Sequence, residues 1–195
     1  SFTMPDGKVE VNGTFVKKSA QTFVDVPENA YYAPAVAWAV ERGVTEGTSA
    51  TTFSPDAACT RAQIVTFLYR AAGSPAVKST VNPFTDVTAS DYYYNAVLWA
   101  VENGITTGTS ETTFSPNESC TRAQCVTFLY RAVGSAATAK ASFTDVSADA
   151  YYAPAVDWAV EKGVTTGTSA TTFSPDDACT RAQIVTFLYR AAQVK

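Results

Sequence analysis

The chain of 195 residues has no histidine, one methionine and four cysteines. The missing histidine removes imidazole general bases, Ser–His triads and His-ligated metal sites from consideration. Four cysteines are too few for a disulfide scaffold. Three of them, Cys59, Cys120 and Cys179, are evenly spaced, and no CxxC pair supports a zinc site. No cofactor and no metal are expected. No apolar run approaches the roughly 18 residues that span a bilayer, and the first residues lack the basic start and apolar stretch of a signal peptide. Charge is sparse, at 16% of residues with a net −4, so the basic face that nucleic acid selects is not expected. What the chain does have is apolar substance: hydrophobic residues make up 46%, enough for a packed core and too much for disorder.

Internal repetition dominates the pattern. Trp38, Trp99 and Trp158 recur in register, as do Phe23, Phe84 and Phe143, and Arg61, Arg122 and Arg181. The segment 50–72 returns as 170–192 with one change, Ala57 becoming Asp177. The middle copy diverges most: Tyr94-Asn95 replaces the Ala-Pro of the outer copies. Small polar joints separate the copies, which are assigned to 21–74, 82–135 and 141–195. Residues 1–20 fall outside the repeat. Their alternating polarity around Asn12-Gly13 reads as the strand-like end of a preceding surface repeat.

Each copy opens on Phe-Val-Asp-Val or its variant, followed by paired tyrosines. A first helix is expected from about Ala33 to Arg42, with Pro34 tolerated in its first turn and Gly43 as its left-handed cap. A turn-rich loop follows, with Gly47, Pro55 and Asp56. A second helix starts at Thr60, where Thr60-Arg61-Ala62-Gln63 fits a capping box. Cys59 before the cap and Ile64 after it fit a hydrophobic staple. In the middle copy the staple pair is Cys120 and Cys125, predicted to be the one close pair of thiols, packed and without function.

The second helix is apolar on nearly every side, as a core helix is. Three such helices are therefore expected at the centre with the first helices outside, since one unit alone cannot bury its faces. Mid-helix Trp38, Trp99 and Trp158 are read as core residues. On residue chemistry alone Arg61 has two open readings. It is an anion ligand at a helix start with unpaired N–H groups, or a structural partner of Asp25, Asp56 or Glu41. Arg70, Arg131 and Arg190, near helix C-termini, are read as dipole partners.

Phe23-Val24-Asp25-Val26, Glu41-Arg42-Gly43-Val44, Gly47-Thr48, Phe53-Ser54-Pro55 and Thr60-Arg61-Ala62-Gln63 together resemble the S-layer homology (SLH) repeat, in three copies over about Thr22 to Ala192. The resemblance implies a mainly α fold, a pseudo-threefold spindle of helix-loop-helix units. It also implies a module that closes the C-terminal end of a longer exported surface protein. Such a module binds cell-wall polysaccharide, often through a pyruvylated amino sugar of secondary cell-wall polymer, in grooves between repeats. The family's binding arginine falls on Arg61, Arg122 and Arg181. The glutamate of its motif is replaced here by Gln63, Gln124 and Gln183, and its tryptophan by Tyr31, Tyr92 and Tyr151. Tyrosines give a sugar ring a flat apolar face and a hydroxyl. The expectation is a non-enzymatic, monomeric, extracellular wall anchor without membrane insertion, with a protein-interaction or lattice-assembly module as the alternative. No nucleophile–base constellation supports catalysis.

Overall fold

A computed structural model describes residues 23–79 and 81–194; the segment 1–20 read as strand-like lies outside them. Among the described residues six helices form: α1 Ala33–Glu41, α2 Arg61–Ala71, α3 Tyr94–Glu102, α4 Arg122–Val133, α5 Ala153–Glu161 and α6 Arg181–Gln193. Pro34 and Pro154 sit in the first turns of α1 and α5, where proline costs no helical hydrogen bond. Gly43 (φ 68°) ends α1 in the left-handed region, with the N–H of Val44 returning to Ala39 O at 2.8 Å.

The second helices α2, α4 and α6 pack on one another about a pseudo-threefold axis. Each also carries the first helix of the next copy: α2 holds α3, α4 holds α5 and α6 holds α1. The last pair closes the ring between the third copy and the first. The tryptophans make these contacts. Trp99 stacks on Tyr69 at 5.6 Å, Trp158 on Tyr130 at 5.8 Å and Trp38 on Tyr189 at 5.9 Å. Trp99 and Trp158 are buried and Trp38 is partly so, which agrees with their reading as core. The motive force is burial: Phe53, Phe114, Phe173, Ile64, Ile105 and Ile184 are wholly enclosed, each worth about 1.5–3 kcal/mol against leaving it exposed.

The three helix starts meet at the axis. Cys59 N–H donates to Cys179 O, Cys120 N–H to Cys59 O and Cys179 N–H to Cys120 O, each at 2.9 Å. The cysteine before each cap is thus a member of a closed backbone ring. All four cysteines are free and fully buried. The expectation that Cys120 and Cys125 alone lie close together is corrected here. Cys125 faces both Cys120 and Cys179, and Cys59 lies near Cys179 and Cys120. Helix starts that converge on an axis necessarily bring their preceding residues together. Burial pushes the Cys59 thiol up to about 12, so it is an inert packing group.

Each opening segment is pinned to the loop of its own copy. Asp25 accepts the N–H of Phe53 at 2.8 Å and of Ser54 at 2.7 Å, and Asp86 and Asp145 do the same for Phe114-Ser115 and Phe173-Ser174. Ser54, Ser115 and Ser174 sit at φ 56–57°, left-handed backbone that non-glycine residues adopt at a cost. The carboxylates hold them there. Gly47 is required by its surroundings: at φ 90° a Cβ would lie 2.5 Å from the Phe23 ring and 2.6 Å from Thr52 O.

Candidate functional site: three junctions between repeats

The capping boxes form as expected. Thr60 Oγ1 accepts Gln63 N–H at 3.3 Å and Gln63 Oε1 accepts Thr60 N–H at 3.1 Å, with the same pair in the other copies. The next donors do not remain unpaired. Arg61 N–H goes to Glu118 O at 2.9 Å and Ala62 N–H to Pro116 O at 3.0 Å, both in the following copy. Arg122 and Ala123 use Asp177 O and Pro175 O, while Arg181 and Ala182 use Ala57 O and Pro55 O. The helix start is therefore spent on joining copies, and the expectation that its backbone N–H groups await an anion is corrected. Any anion here must be held by side chains.

The arginines carry the unusual chemistry. Arg61 and Arg122 are 3% exposed and Arg181 is 4% exposed. Arg61 Nε donates to Phe114 O at 2.8 Å, and its guanidinium lies 4.9 Å from the Phe114 ring and 5.4 Å from the Phe128 ring. Arg122 makes the same contacts with Phe173 and Phe187, and Arg181 with Phe53 and Phe67. Cation–π contacts of this kind give back part of the desolvation cost. None of the three arginines is in a salt bridge among the described residues, where the one ion pair joins Lys162 to Glu161. The alternative of a direct structural pairing with Asp25, Asp56 or Glu41 is thus not what forms. Asp25 acts on Arg181 only through its field.

Two of these cations are also short of a hydrogen bond. Nη2 of Arg61 and of Arg122 is buried without a partner, whereas Nη2 of Arg181 reaches Thr45 Oγ1 at 3.4 Å. Burial pushes all three arginines toward lower pKa, but arginine keeps its proton in proteins. A buried, permanently charged group with an idle donor is costly unless something completes it.

The tyrosines close the picture. Tyr31, Tyr92 and Tyr151 are 63–65% exposed and lie edge-on against Tyr32, Tyr93 and Tyr152. Desolvation raises their phenol pKa. Tyr31 is pulled the other way by Arg122 and Arg190, Tyr92 by Arg70 and Arg181, and Tyr151 by Arg131 and Arg61. Each junction therefore draws on all three copies: Arg61 from the first, Phe114 and Arg131 from the second, Tyr151 from the third, and so on in rotation.

Gln63, Gln124 and Gln183 are committed to the caps through their oxygens, and their amide nitrogens make no hydrogen bond among the described residues. Arg70, Arg131 and Arg190 do more than face a dipole. Each donates through Nη1 to the carbonyl after the first helix of its own copy: Val44, Ile105 or Val164, at 3.3, 3.1 and 3.2 Å. The buried Thr45, Thr106 and Thr165 and the phenylalanine pairs around each guanidinium were not singled out from sequence. A threonine repeated directly after the apolar residue that follows the glycine past each first helix was the available signal.

A cavity of about 460 Å³ in the middle copy is lined by Asp86, Asp91, Glu118 and Tyr93 among others and by none of the arginines. Its acids suit no anion, and Asp86 and Asp91 already cap backbone N–H groups. Among the described residues no three cysteines or carboxylates are grouped to hold a metal, and no helix is long and apolar enough to cross a membrane.

The S-layer homology domain family model matches residues 22–65, 83–124 and 142–185, the spans that hold the three opening segments, loops and capped helix starts. Among curated proteins, an endoglucanase of Bacillus sp. (strain KSM-635) is 39% identical over 116 residues, covering 60% of this chain and 12% of that protein. The surface-layer 125 kDa protein of Lysinibacillus sphaericus is 32% identical over 115 residues, covering 59% and 10%. The S-layer protein of Bacillus thuringiensis subsp. finitimus is 26% identical over 181 residues, covering 89% and 21%. The chain thus spans no more than about a fifth of these relatives, and likeness over 12% of an endoglucanase gives no ground for assigning its hydrolytic activity. With all three copies matched over more than half of its length, the chain belongs to the S-layer homology domain family, a family of surface-attachment modules.

Proposed function

We propose that this chain holds a longer exported protein on the bacterial cell wall, acting as a single copy that binds an anionic secondary cell-wall polymer at the junctions between its repeats. The units of attachment are the copies at 21–74, 82–135 and 141–195. The observation that carries the reading is the pair of buried guanidinium groups, Arg61 and Arg122, with an unpartnered Nη2 and no carboxylate in salt-bridge contact. A carboxylate on a sugar, such as a pyruvate ketal, supplies both the missing charge and the missing acceptor. Tyr31, Tyr92 and Tyr151 offer the ring its apolar platform, and the free amide nitrogens of Gln63, Gln124 and Gln183 offer neutral donors beside it. Nothing in this arrangement activates a nucleophile or a water, so the polymer is retained and not cut.

The test is sedimentation of the chain with purified, protein-free walls before and after chemical removal of the secondary polymer. Binding to intact walls and its loss on stripping are expected. Equal binding to both, or capture only by other surface proteins, contradicts the reading and favours a protein-interaction or lattice role.

A further inference from the structure

Each junction holds a second cation to which the wall-polymer reading gives no task. Arg70, Arg131 and Arg190 follow Phe67, Phe128 and Phe187 by three residues on α2, α4 and α6. Each therefore shares a helix face with a phenylalanine whose ring lies against an inner guanidinium. At the Arg181 junction the placement is direct. Arg70 Nη1 donates to Val44 O at 3.3 Å, and the hydroxyl of the next residue, Thr45, stands 3.4 Å from Arg181 Nη2. The two guanidinium groups, one from the first copy and one from the third, are thus on the order of 10 Å apart, with one residue of loop between them. Arg131 repeats the plan through Ile105 O and the buried Thr106, and Arg190 through Val164 O and the buried Thr165. The tyrosine from the remaining copy lies in the field of both cations: Tyr92 with Arg70 and Arg181, Tyr151 with Arg131 and Arg61, Tyr31 with Arg190 and Arg122.

The outer arginines differ from the inner ones in being reachable. Arg131 is exposed, and Arg70 and Arg190 are half-buried. Each spends Nη1 on a carbonyl; Nε and Nη2 make no hydrogen bond, and none of the three is in a salt bridge, among the described residues. Asp25 and Asp86, whose fields reach Arg181 and Arg61, are themselves spent on backbone N–H groups. Holding one carbonyl needs one donor, which a neutral side chain supplies. It does not need a permanent charge set beside another of the same sign.

We infer that each junction is a two-cation clamp for a saccharide carrying two acid groups: the inner arginine takes one, and Arg70, Arg131 or Arg190 takes the other beside the exposed tyrosine. This rests on the proposed wall-polymer reading and narrows its ligand from an acidic sugar to a doubly acidic stretch of chain. The second acid is a phosphodiester joining units or a carboxylate on the neighbouring sugar, and both present oxygens to a planar, permanently charged fork. The second contact strengthens the first because it is made within one molecule.

The experiment is calorimetric titration of the full chain with three methyl glycosides of a pyruvate-ketal amino sugar. They are the monosaccharide, the same sugar bearing a methyl phosphodiester, and the disaccharide with a ketal on each unit. At least one doubly acidic ligand is expected to bind about tenfold more tightly than the singly acidic one, and which one does so names the source of the second acid. In the triple variant Arg70→Gln, Arg131→Gln, Arg190→Gln, glutamine keeps a donor for each carbonyl, and the preference should shrink to about twofold. The matching lysine variant, which keeps the charge, should retain most of it. Circular dichroism reports whether the variants fold. NMR of the parent chain stands independently of them: the Hη signals of Arg70, Arg131 and Arg190 are expected to shift with a doubly acidic ligand and to stay in place with the singly acidic one. Equal affinity for all three glycosides, a preference that the glutamine variant keeps in full, or outer arginine signals that never move overturns the clamp while leaving wall binding in place. Absence of heat with every glycoside overturns the clamp too, and together with equal sedimentation on stripped and intact walls it overturns the underlying reading itself.

Discussion

The axis and the junctions are built from neighbouring residues of the same motif, yet they are finished differently. At the axis each of Cys59, Cys120 and Cys179 gives its N–H to one partner and its carbonyl to another, and the thiols are sealed from water. Two residues further on, Arg61 and Arg122 bring a full charge into the interior and leave a donor unused. Backbone donors that could have served a ligand are consumed in joining copies, while the side chain that follows is left incomplete. The satisfied ring holds the fold, and the unsatisfied cations are where the proposed site lies.

The sharpest way to break this contrast is to remove the charge while keeping the volume. Replacing Arg61, Arg122 and Arg181 together by methionine is expected to abolish wall sedimentation, at about 1.5–3 kcal/mol for each occupied site. The thermal midpoint should change little, because removing an uncompensated buried charge offsets the loss of the Nε–H donation to Phe114 O, Phe173 O and Phe53 O. Alanine is the poorer probe because it also opens a cavity between two phenylalanines; both substitutions strand the carbonyl that Arg Nε now caps. A methionine triple variant that folds and still sediments with walls makes the arginines structural.

The next effect is on the fold. Asp25→Asn keeps one acceptor for Phe53 and Ser54 where there are now two, and Ser54 remains left-handed. A loss of about 1–3 kcal/mol is expected in urea denaturation. The same carboxylates set an acid limit. Burial alone would raise Asp25 and Asp145, but the N–H groups of Phe53 and Ser54, and of Phe173 and Ser174, outweigh it and hold both below the usual aspartate value. A folded pKa below the unfolded one, about 3.9, stabilises fully above that value and is lost as pH falls through the folded pKa. Glu161, hydrogen-bonded by Thr138 and held at about 2, extends the same trend lower. Melting temperature should stay level from pH 7 to about 5 and fall below about 4; a rise on acidification would show that these carboxylates are not what pins the loops.

Smaller effects are expected at the axis. Cys125 occupies the position of Ile64 and Ile184, and all three are wholly buried. Cys125→Ile adds volume to a closed axis, so it should cost no more than about 1–3 kcal/mol and leave wall binding unchanged. Labelling with a thiol reagent should find no reactive cysteine in the folded protein and four in denaturant. Two thiols in the denatured, unreduced chain would reveal a disulfide absent from the folded arrangement described above. Least of all, Gln63→Glu keeps the capping oxygen, adds an anion to a helix start, and should stabilise by about 0.3–1 kcal/mol.

Much of this was legible in the sequence because a threefold repeat reports its own periodicity. The capped helix starts, the core tryptophans and the placement of the second helices at the centre followed from capping chemistry and apolar pattern within one copy. The partners across copies did not. Nothing local says that Arg61 lies on Phe114 and Phe128, that Tyr151 faces it, or that Glu118 O takes the backbone N–H an anion was expected to use. Those contacts depend on how α3 docks on α2 and α1 on α6, a property of the closed ring and not of any segment. The same limit explains the cysteines: the staple pairs residues in sequence, while the axis pairs them in space.

The central claim is that the buried guanidinium groups themselves meet the wall anion. The most direct measurement is the NMR spectrum of the arginine Nη–Hη groups while a pyruvylated amino-sugar glycoside is added. The account predicts that the Hη signals of Arg61 and Arg122 move downfield and become protected from exchange, as donors entering charge-assisted hydrogen bonds do, while those of Arg70, Arg131 and Arg190 change little. Binding that shifts the signals of Tyr31, Tyr92 and Tyr151 but leaves Arg61 and Arg122 unmoved would contradict it.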